Sequence, residues 1–481
     1  MELWRMIGLP VCKSTFRKKI DLGKFLINKG AGARAPRNMM TSDKTTVVKF
    51  GGTSLADAEQ FRKVGRIVAA DFTRRIVVVS APGKRFPEDT KVTDLLIACY
   101  EAAVAGRDFS GAYKAVCQRF RDIIVGLGLD FSLDDELAAL GDQLRRAPRR
   151  DYVVSRGEYF SARVMAEYLG FTFVDPAWCI CFHENGKLDD AMTRRALAAA
   201  LRPLKRAVVA GFYGADSLGN IHTFSRGGSD VTGSLVACAI DADRYENWTD
   251  VSGLMSADPR IVENPRIVDH MSYRELRTLS YMGASVLHSD AVLSASERDI
   301  PINIRNTNDP DNPGTLIGRK RPKGQQKHPV IGVAGRKGMS VIQVEKVMVS
   351  DGSGFSAIML DILKKRQLPF EHCLTGIDSI TLVIRSDLLA ACKAELLSEI
   401  RAELAPDYMG IREKLSVIAV VGEKDTETSD ANVRVLMALT QAGIEITTIN
   451  QGAGKLNLLI GVPEEKYEAA IRAIYGTMQT L

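Results

Sequence analysis

The fold of this chain turns on the stretch Thr45-Thr46-Val47-Val48-Lys49-Phe50-Gly51-Gly52-Thr53-Ser54. Its first six residues read as a short buried strand, and they run straight into two glycines. A helical pattern follows from Ala56 to Ala70. Further apolar runs repeat the arrangement. Arg75-Ile76-Val77-Val78-Val79-Ser80 ends in Ala81-Pro82-Gly83-Lys84, and Phe171–Asp175 and Arg206–Phe212 are also strand-like. Residues 91–147 are mostly helical in pattern, and helical periods separate the later strands. Strand-helix alternation of this kind predicts an α/β fold, a mainly parallel sheet sandwiched by helices. In such sheets ligands sit beyond the carboxyl ends of the strands, where the glycine segments fall.

The 481 residues suggest two to four domains. Apolar residues are 46% and charged residues 25%, a globular composition. No apolar run approaches the ~20 residues of a membrane span, so no membrane partner is expected. The net charge of +6 sits at one end. Residues 1–40 carry nine Lys/Arg against Glu2 and Asp21, a local +7, which leaves −1 for the rest and no reason to invoke nucleic acid. This basic extension is expected to lie outside the fold. It is either a targeting peptide or the product of an upstream start before Met39-Met40, and its lack of an Arg-rich amphipathic period favours the second. Of the eight cysteines only Cys179 and Cys181 are close, and a C-x-C pair with no second Cys/His pair predicts reduced cytoplasmic thiols and no metal site.

Four segments carry chemistry. In Lys49 to Ser54 the glycines let backbone N–H groups approach a phosphate, with a helix N-terminus behind them, and Lys49 can neutralise developing charge. A tight turn with a solvated lysine would look the same. In Ser225-Arg226-Gly227-Gly228-Ser229-Asp230-Val231-Thr232 a glycine turn opens a helix over Thr232–Ala239. Arg226 offers a fork for a carboxylate, and Asp230 is placed to hold Lys49. Ser229 and Asp230 are equally ordinary helix caps. Asn247-Trp248-Thr249-Asp250-Val251-Ser252-Gly253, followed by Asp258-Pro259-Arg260, can hold ribose and phosphate, or be a polar turn. Glu158, in Ser155-Arg156-Gly157-Glu158, reads as a helix-start carboxylate, and Thr93 as an N-cap.

Asn303 to Lys327, rich in Asn, Pro, Gly and Lys, reads as the exit from the first domain. Beyond it lies a weak repeat. Ser340–Val344, Gly354–Lys365, a strand near Phe370 and Ser379–Ile384 are echoed by Ser416–Val421, a helix from about Asn432 to Ala442, Ile444–Ile449 and Leu456–Ile460. Each half reads β-α-β-β plus one helix, the size of a small regulatory α+β unit.

Together these segments resemble the aspartate kinases of the amino-acid kinase superfamily. The likeness rests on Lys49–Ser54, Ser80–Lys84, Thr93–Leu96, Gly157–Glu158, Arg226–Asp230, Trp248–Gly253, Asp258–Arg260 and Gly283–His288, in family order. It implies a catalytic domain over 45–320 and two ACT domains over 330–410 and 411–481. It implies phosphorylation of the L-aspartate β-carboxylate by ATP with Mg2+, the first step toward lysine, threonine and methionine. Lys49 and Asp230 would be catalytic. Lys49, Phe50, Gly51, Gly52, Thr249, Asp250, Met255, Asp258, Arg260 and Ser285 would meet the nucleotide. Thr93, Glu158, Arg226, Gly227, Gly228 and Ser229 would hold aspartate. Met255 and Ser285 stand where one common form of the family has Tyr and a nucleotide-contacting Lys. The repeat resembles paired ACT domains, which implies feedback by lysine or threonine and a homodimer through these domains. Val349, Asp351, Gly354, Phe355, Ser356, Glu371 and Thr375 would meet the effector. Rival possibilities are a kinase for glutamate or acetylglutamate, which Arg226–Asp230 and the repeat disfavour, and a degenerate kinase acting as a sensor.

Overall fold

The structure, a computed structural model, describes residues 44–146, 148–225, 227–283, 287, 289–319, 330–347, 354–422, 431–451 and 457–479. They fall into two compact units. The first takes the described residues up to Ser252 together with Leu287–Arg319, and the second takes those of Gly253–Val286 and Lys320–Leu481.

In the first unit, strands β1 (Thr46–Phe50), β2 (Arg74–Val79), β3 (Thr172–Val174), β4 (Ala207–Ala210), β7 (Arg244–Thr249), β8 (Ile302–Asn306) and β9 (Thr315–Gly318) lie in the order β3-β4-β2-β1-β7-β8-β9. All neighbours are parallel except β8 and β9. A short hairpin, β5 (Tyr213–Ala215) with β6 (Ile221–Thr223), follows β4. The central strand β1 is buried at every residue, as a strand covered on both faces must be. Its lysine is therefore an anomaly for a core strand, and so are Glu246 and Asn247 of β7, both buried.

The helices are α1 (Ala58–Ala69), α2 (Val92–Val104), α3 (Ser110–Leu127), α4 (Asp134–Arg146), α5 (Arg150–Leu169), α6 (Asp190–Leu201), α7 (Gly228–Ala239) and α8 (Ser289–Glu297). Helix α1 starts after a 3-10 turn at Thr53–Leu55, because Asp57 accepts the Gln60 N–H at 2.9 Å and caps it there. Helix α7 starts at Gly228, four residues before the expected Thr232. Its N-cap is Gly227 at φ 59° with no side-chain cap, so neither Ser229 nor Asp230 serves as one. The stretch expected to be the exit from the domain first supplies β8 and β9, and the first unit then ends at Arg319.

The second unit is a six-stranded antiparallel sheet. Its strands are β10 (Val330–Glu345), β11 (His372–Thr375), β12 (Ser379–Arg385), β13 (Tyr408–Gly422), β14 (Thr448–Gln451) and β15 (Asn457–Pro463), in the order β11-β12-β10-β13-β15-β14. Helices α9 (Gly354–Lys365), α10 (Lys393–Leu404), α11 (Ala431–Gln441) and α12 (Tyr467–Met478) complete two βαββα repeats. The repeats are not separate modules. Strand β10 gives Val330 and Val333 to a core with Ile418, Val420, Ile460 and Ile474, and gives Ile342 and Val344 to another with Met359, Leu382 and Ile400. Strand β13 is divided in the same way, with Met409 and Ile411 packing on the second of these cores. The register shifts between Arg336 and Met339, beside Gly338 at φ 76°, where both strands change core. The expected strand Ile444–Ile449 forms only from Thr448, because Gly443 at φ 65° closes α11 first.

The described residues of 253–283, which the sequence places inside 45–320, pack in this second unit. Ala257 and Val262 join its core, the Val333 N–H donates to the Ser256 carbonyl at 2.8 Å, and the Arg266 N–H donates to the Tyr475 hydroxyl at 2.9 Å. No helix among the described residues is long and apolar enough to cross a membrane.

Candidate active site

The loops leaving β1, β2, β4 and β7 meet at the carboxyl edge of the first sheet. The Gly51 N–H donates to the Trp248 carbonyl at 2.9 Å, the Gly83 N–H to the Gly52 carbonyl at 2.7 Å, and the Gly211 N–H to the Val79 carbonyl at 2.9 Å. The approach is too close for side chains. A Cβ on Gly83 would stand 2.6 Å from the Gly52 carbonyl carbon, and one on Gly211 would stand 2.5 Å from Ser229 Oγ. Glycine is required here for space, not for conformation.

Into this edge project two charges. Lys49 Nζ lies 2.6 Å from Asp230 Oδ1, with side chains only 9% and 14% exposed. Asn247 Nδ2 donates to the same oxygen at 3.0 Å, and the Tyr245 hydroxyl donates to the Asp230 carbonyl at 3.2 Å. Lys49 comes from β1, Asn247 from the adjacent β7, and Asp230 from the first turn of α7. An ion pair this dry holds each group in one place and leaves a costly charge if either is removed.

Beneath it runs a buried frame. Trp248 stacks on Phe50 with ring centroids 6.0 Å apart and is flanked by the guanidinium groups of Arg74 and Arg305 at 5.2 and 4.6 Å. Its Nε1 donates to Glu246 Oε2 at 2.9 Å, and Arg74 Nε reaches the same oxygen at 2.9 Å. The frame fixes the carbonyl that Gly51 uses.

Glu158 does not sit at a helix start. It lies in the middle of α5, so the dipole argument for it fails. Instead it is buried, only 6% exposed. The Ala81 N–H bonds it and the charges of Arg156 and Lys49 favour its ionised form, yet burial dominates and pushes its pKa up to about 8. Among the described residues its Oε2 has no hydrogen-bond partner. A buried acceptor left unpaired beside a phosphate-type loop suits a cationic group of a ligand.

The remaining expected residues divide. Thr93 is half-buried in the first turn of α2, whose N-cap is Lys91, so Thr93 is not the cap. Gly227, Gly228 and Ser229 open α7 opposite Gly211. Thr249 ends β7 and Asp250 follows it, with Thr249 Oγ1 3.1 Å from Asp250 Oδ1. Met255, Asp258 and Arg260 belong to the second compact unit. Met255 bridges to Ile267, and Arg260 Nη2 binds Asp258 Oδ2 at 2.7 Å. On the effector side, Gly354, Phe355 and Ser356 open α9, but the Phe355 ring is packed in the core. The Glu371 carboxylate lies 4.0 Å from Arg336 and bonds the Tyr281 hydroxyl, whose pKa rises to about 12, chiefly through burial. Thr375 is exposed at the end of β11. Arg226, Ser285, Val349 and Asp351 lie outside the described residues.

Sequence reasoning passed over three participants. Asn247 orients Asp230. Phe212 sits at φ 81°, and its N–H donates to Thr232 Oγ1 at 3.1 Å. The Ser54 hydroxyl meets the Thr307 hydroxyl at 2.8 Å in a buried contact. Only Asn247 carried a signal, a polar residue inside a buried strand.

The chain matches the model of the amino acid kinase family over residues 44–306 and that of an ACT domain over 418–478. It is 36% identical over 444 residues to aspartokinase 3 of Bacillus subtilis, spanning 89% of this chain and 97% of that protein. The crystal structure of Clostridium acetobutylicum aspartate kinase superposes with a TM-score of 0.82 at 39% identity, over 90% of this chain and 100% of that one. Escherichia coli aspartokinase III in complex with aspartate and ADP gives 0.71 at 26%, over 91% and 100%, and its complex with lysine and aspartate gives 0.66 at 26%, over 90% and 99%.

Glu158 makes a stability prediction. Its folded pKa lies above the unfolded value, so its contribution is fully present below about pH 4.5 and lost once the pH passes about 8. Thermal melts at pH 5 and pH 9 should show wild type losing more stability between the two than Glu158→Gln, which cannot ionise. Parallel losses would contradict the buried, proton-bound carboxyl.

Proposed function

This chain belongs to the aspartokinases of the amino acid kinase family, and on that premise we propose that it transfers the γ-phosphoryl group of ATP to the β-carboxylate of L-aspartate, giving ADP and 4-phospho-L-aspartate. The observation that carries the assignment is the buried Lys49–Asp230 pair at the glycine edge, beside Glu158, whose Oε2 has no partner among the described residues. The aspartate and ADP bound by the E. coli relative support it.

Phosphoryl transfer asks for positioning and charge stabilisation more than covalent help. The nucleophile is the substrate's own carboxylate, already ionised, so no general base is needed. The Gly51 N–H is taken by the Trp248 carbonyl, so the backbone N–H groups that follow it, from Gly52 on, would face the phosphates. Lys49, held by Asp230, would meet the charge that spreads over the transferring oxygens. Glu158 would take the aspartate ammonium on its vacant oxygen, and Thr93, Ser229 and Arg226 would complete the substrate cradle. Thr249 and Asp250 would border the nucleotide. Among the described residues no cluster of three His, Cys, Asp or Glu could hold a metal. Mg2+ would come with the nucleotide phosphates, whose charge it neutralises.

The paired ACT repeat supports feedback by an amino acid, and the lysine bound by the E. coli relative supports lysine. Gly354 and Ser356 with Glu371 and Thr375 would line that site, together with Val349 and Asp351, and two copies of the sheet would pair to make a dimer.

A hydroxamate assay across acidic amino acids should give turnover with aspartate and not with glutamate or acetylglutamate. In it Lys49→Ala should lower kcat by about 10²–10³-fold with a smaller change in aspartate KM. Survival within roughly threefold would refute the role of Lys49. Lysine, threonine or both, added to the wild-type assay, should inhibit in at least one case. Flat rates in all three would remove the feedback proposal.

A further inference from the structure

We propose that Arg119 of α3 is a positioning residue for this phosphoryl transfer, holding the loops after β1 and β2 in register. The inference rests on the function proposed above. Arg119 stands on the buried face of its helix among Val116, Phe120 and Ile123, only 4% exposed. A guanidinium placed there must find partners for its donors. It finds them in the site loops. Nη1 donates to the Gly83 carbonyl at 2.9 Å and to the Ala56 carbonyl at 3.4 Å. Nη2 donates to both oxygens of Asp89 at 2.9 and 2.7 Å and to the Thr90 carbonyl at 3.4 Å. One planar fork thus gathers the segment after β1 (Ala56) and two points of the segment after β2 (Gly83, Thr90).

What those carbonyls belong to decides the role. Gly83 donates its own N–H to the Gly52 carbonyl at 2.7 Å, so its position sets that of the proposed phosphate loop. Two residues earlier, Ala81 supplies the N–H that bonds Glu158. A shift of Gly83 therefore reaches the nucleotide side and the aspartate side together. Asp89 neutralises the buried guanidinium and is itself held from the solvent side by Arg85, at 2.9 Å from Nε. The planar fork matters here, because a lysine offers a point charge and cannot span two loops and a carboxylate at once.

The test uses full-length Arg119→Lys, which keeps the charge and loses the fork, and Asp89→Asn, which keeps the arginine and removes its counter-charge. Both are assayed well below their melting temperatures for kcat, for KM of ATP and aspartate, and by calorimetry for ADP binding. Misplacement of about 1 Å should lower kcat by about 10–100-fold and weaken ADP binding several-fold, with aspartate KM moving less than kcat. A purely structural arginine would lower the melting temperature and leave kcat, both KM values and ADP binding within about twofold, and that result, in whichever variant folds, overturns the proposal. Wild type that fails to phosphorylate aspartate would sink the assigned function instead, and ADP binding would still report on Arg119.

Discussion

A lysine and an aspartate 2.6 Å apart, both nearly dry, set the terms for the first unit. Such a pair repays its desolvation only when its geometry is good and other bonds satisfy it. Three elements are arranged to that end. Strand β1 must run down the middle of the sheet to bring Lys49 to the edge. Strand β7 must lie beside it in parallel register, so that Asn247, the register partner of Lys49, reaches Asp230. Helix α7 must begin at a left-handed Gly227, so that Asp230 falls in its first turn. The Trp248 frame and the packed glycine loops stiffen the same edge from below and above.

Glu158 shows the cost of such a site. A buried carboxyl whose Oε2 has no partner among the described residues is a poor core residue, and burial favours its neutral form. The surrounding helix and the Ala81 N–H keep it where a cation would be welcome. Stability is forgone at this position in exchange for a site prepared before the ligand arrives.

The second unit has a different logic. A three-stranded β-α-β-β unit with an exposed edge is a weak module on its own. Here two long strands each serve two cores, so neither repeat has a complete core without the other. The described residues of 253–283 add Ala257 and Val262 to the same interior. The segment that carries Asp258 and Arg260 is thereby bound into the regulatory unit by packing, although sequence order joins it to the kinase motifs.

Much was legible in the chain. Continuous apolar runs ending in glycine announced buried parallel strands, because only such strands lack a polar face. The pairing of Lys49 with Asp230 followed from charge and from the two glycine turns. The alternation of strand and helix in the C-terminal half announced two similar α+β repeats. Other features depended on contacts distant in sequence. The depth of Glu158 depends on what covers α5, and no local pattern distinguishes it from a helix-start carboxylate. Nothing local marks Arg119, whose role depends on Gly83, Ala56 and Asp89, brought around it from other segments. The division of β10 and β13 between two cores depends on register, which strand sequences alone leave open. The sequence by itself determined which elements form and which residue types gather at the strand ends, since these follow from local periodicity and chemistry. Only the tertiary structure decided which charges are dry, which carbonyls meet which donors, and to which unit a segment belongs, since each of these is a sum over neighbours far apart in the chain.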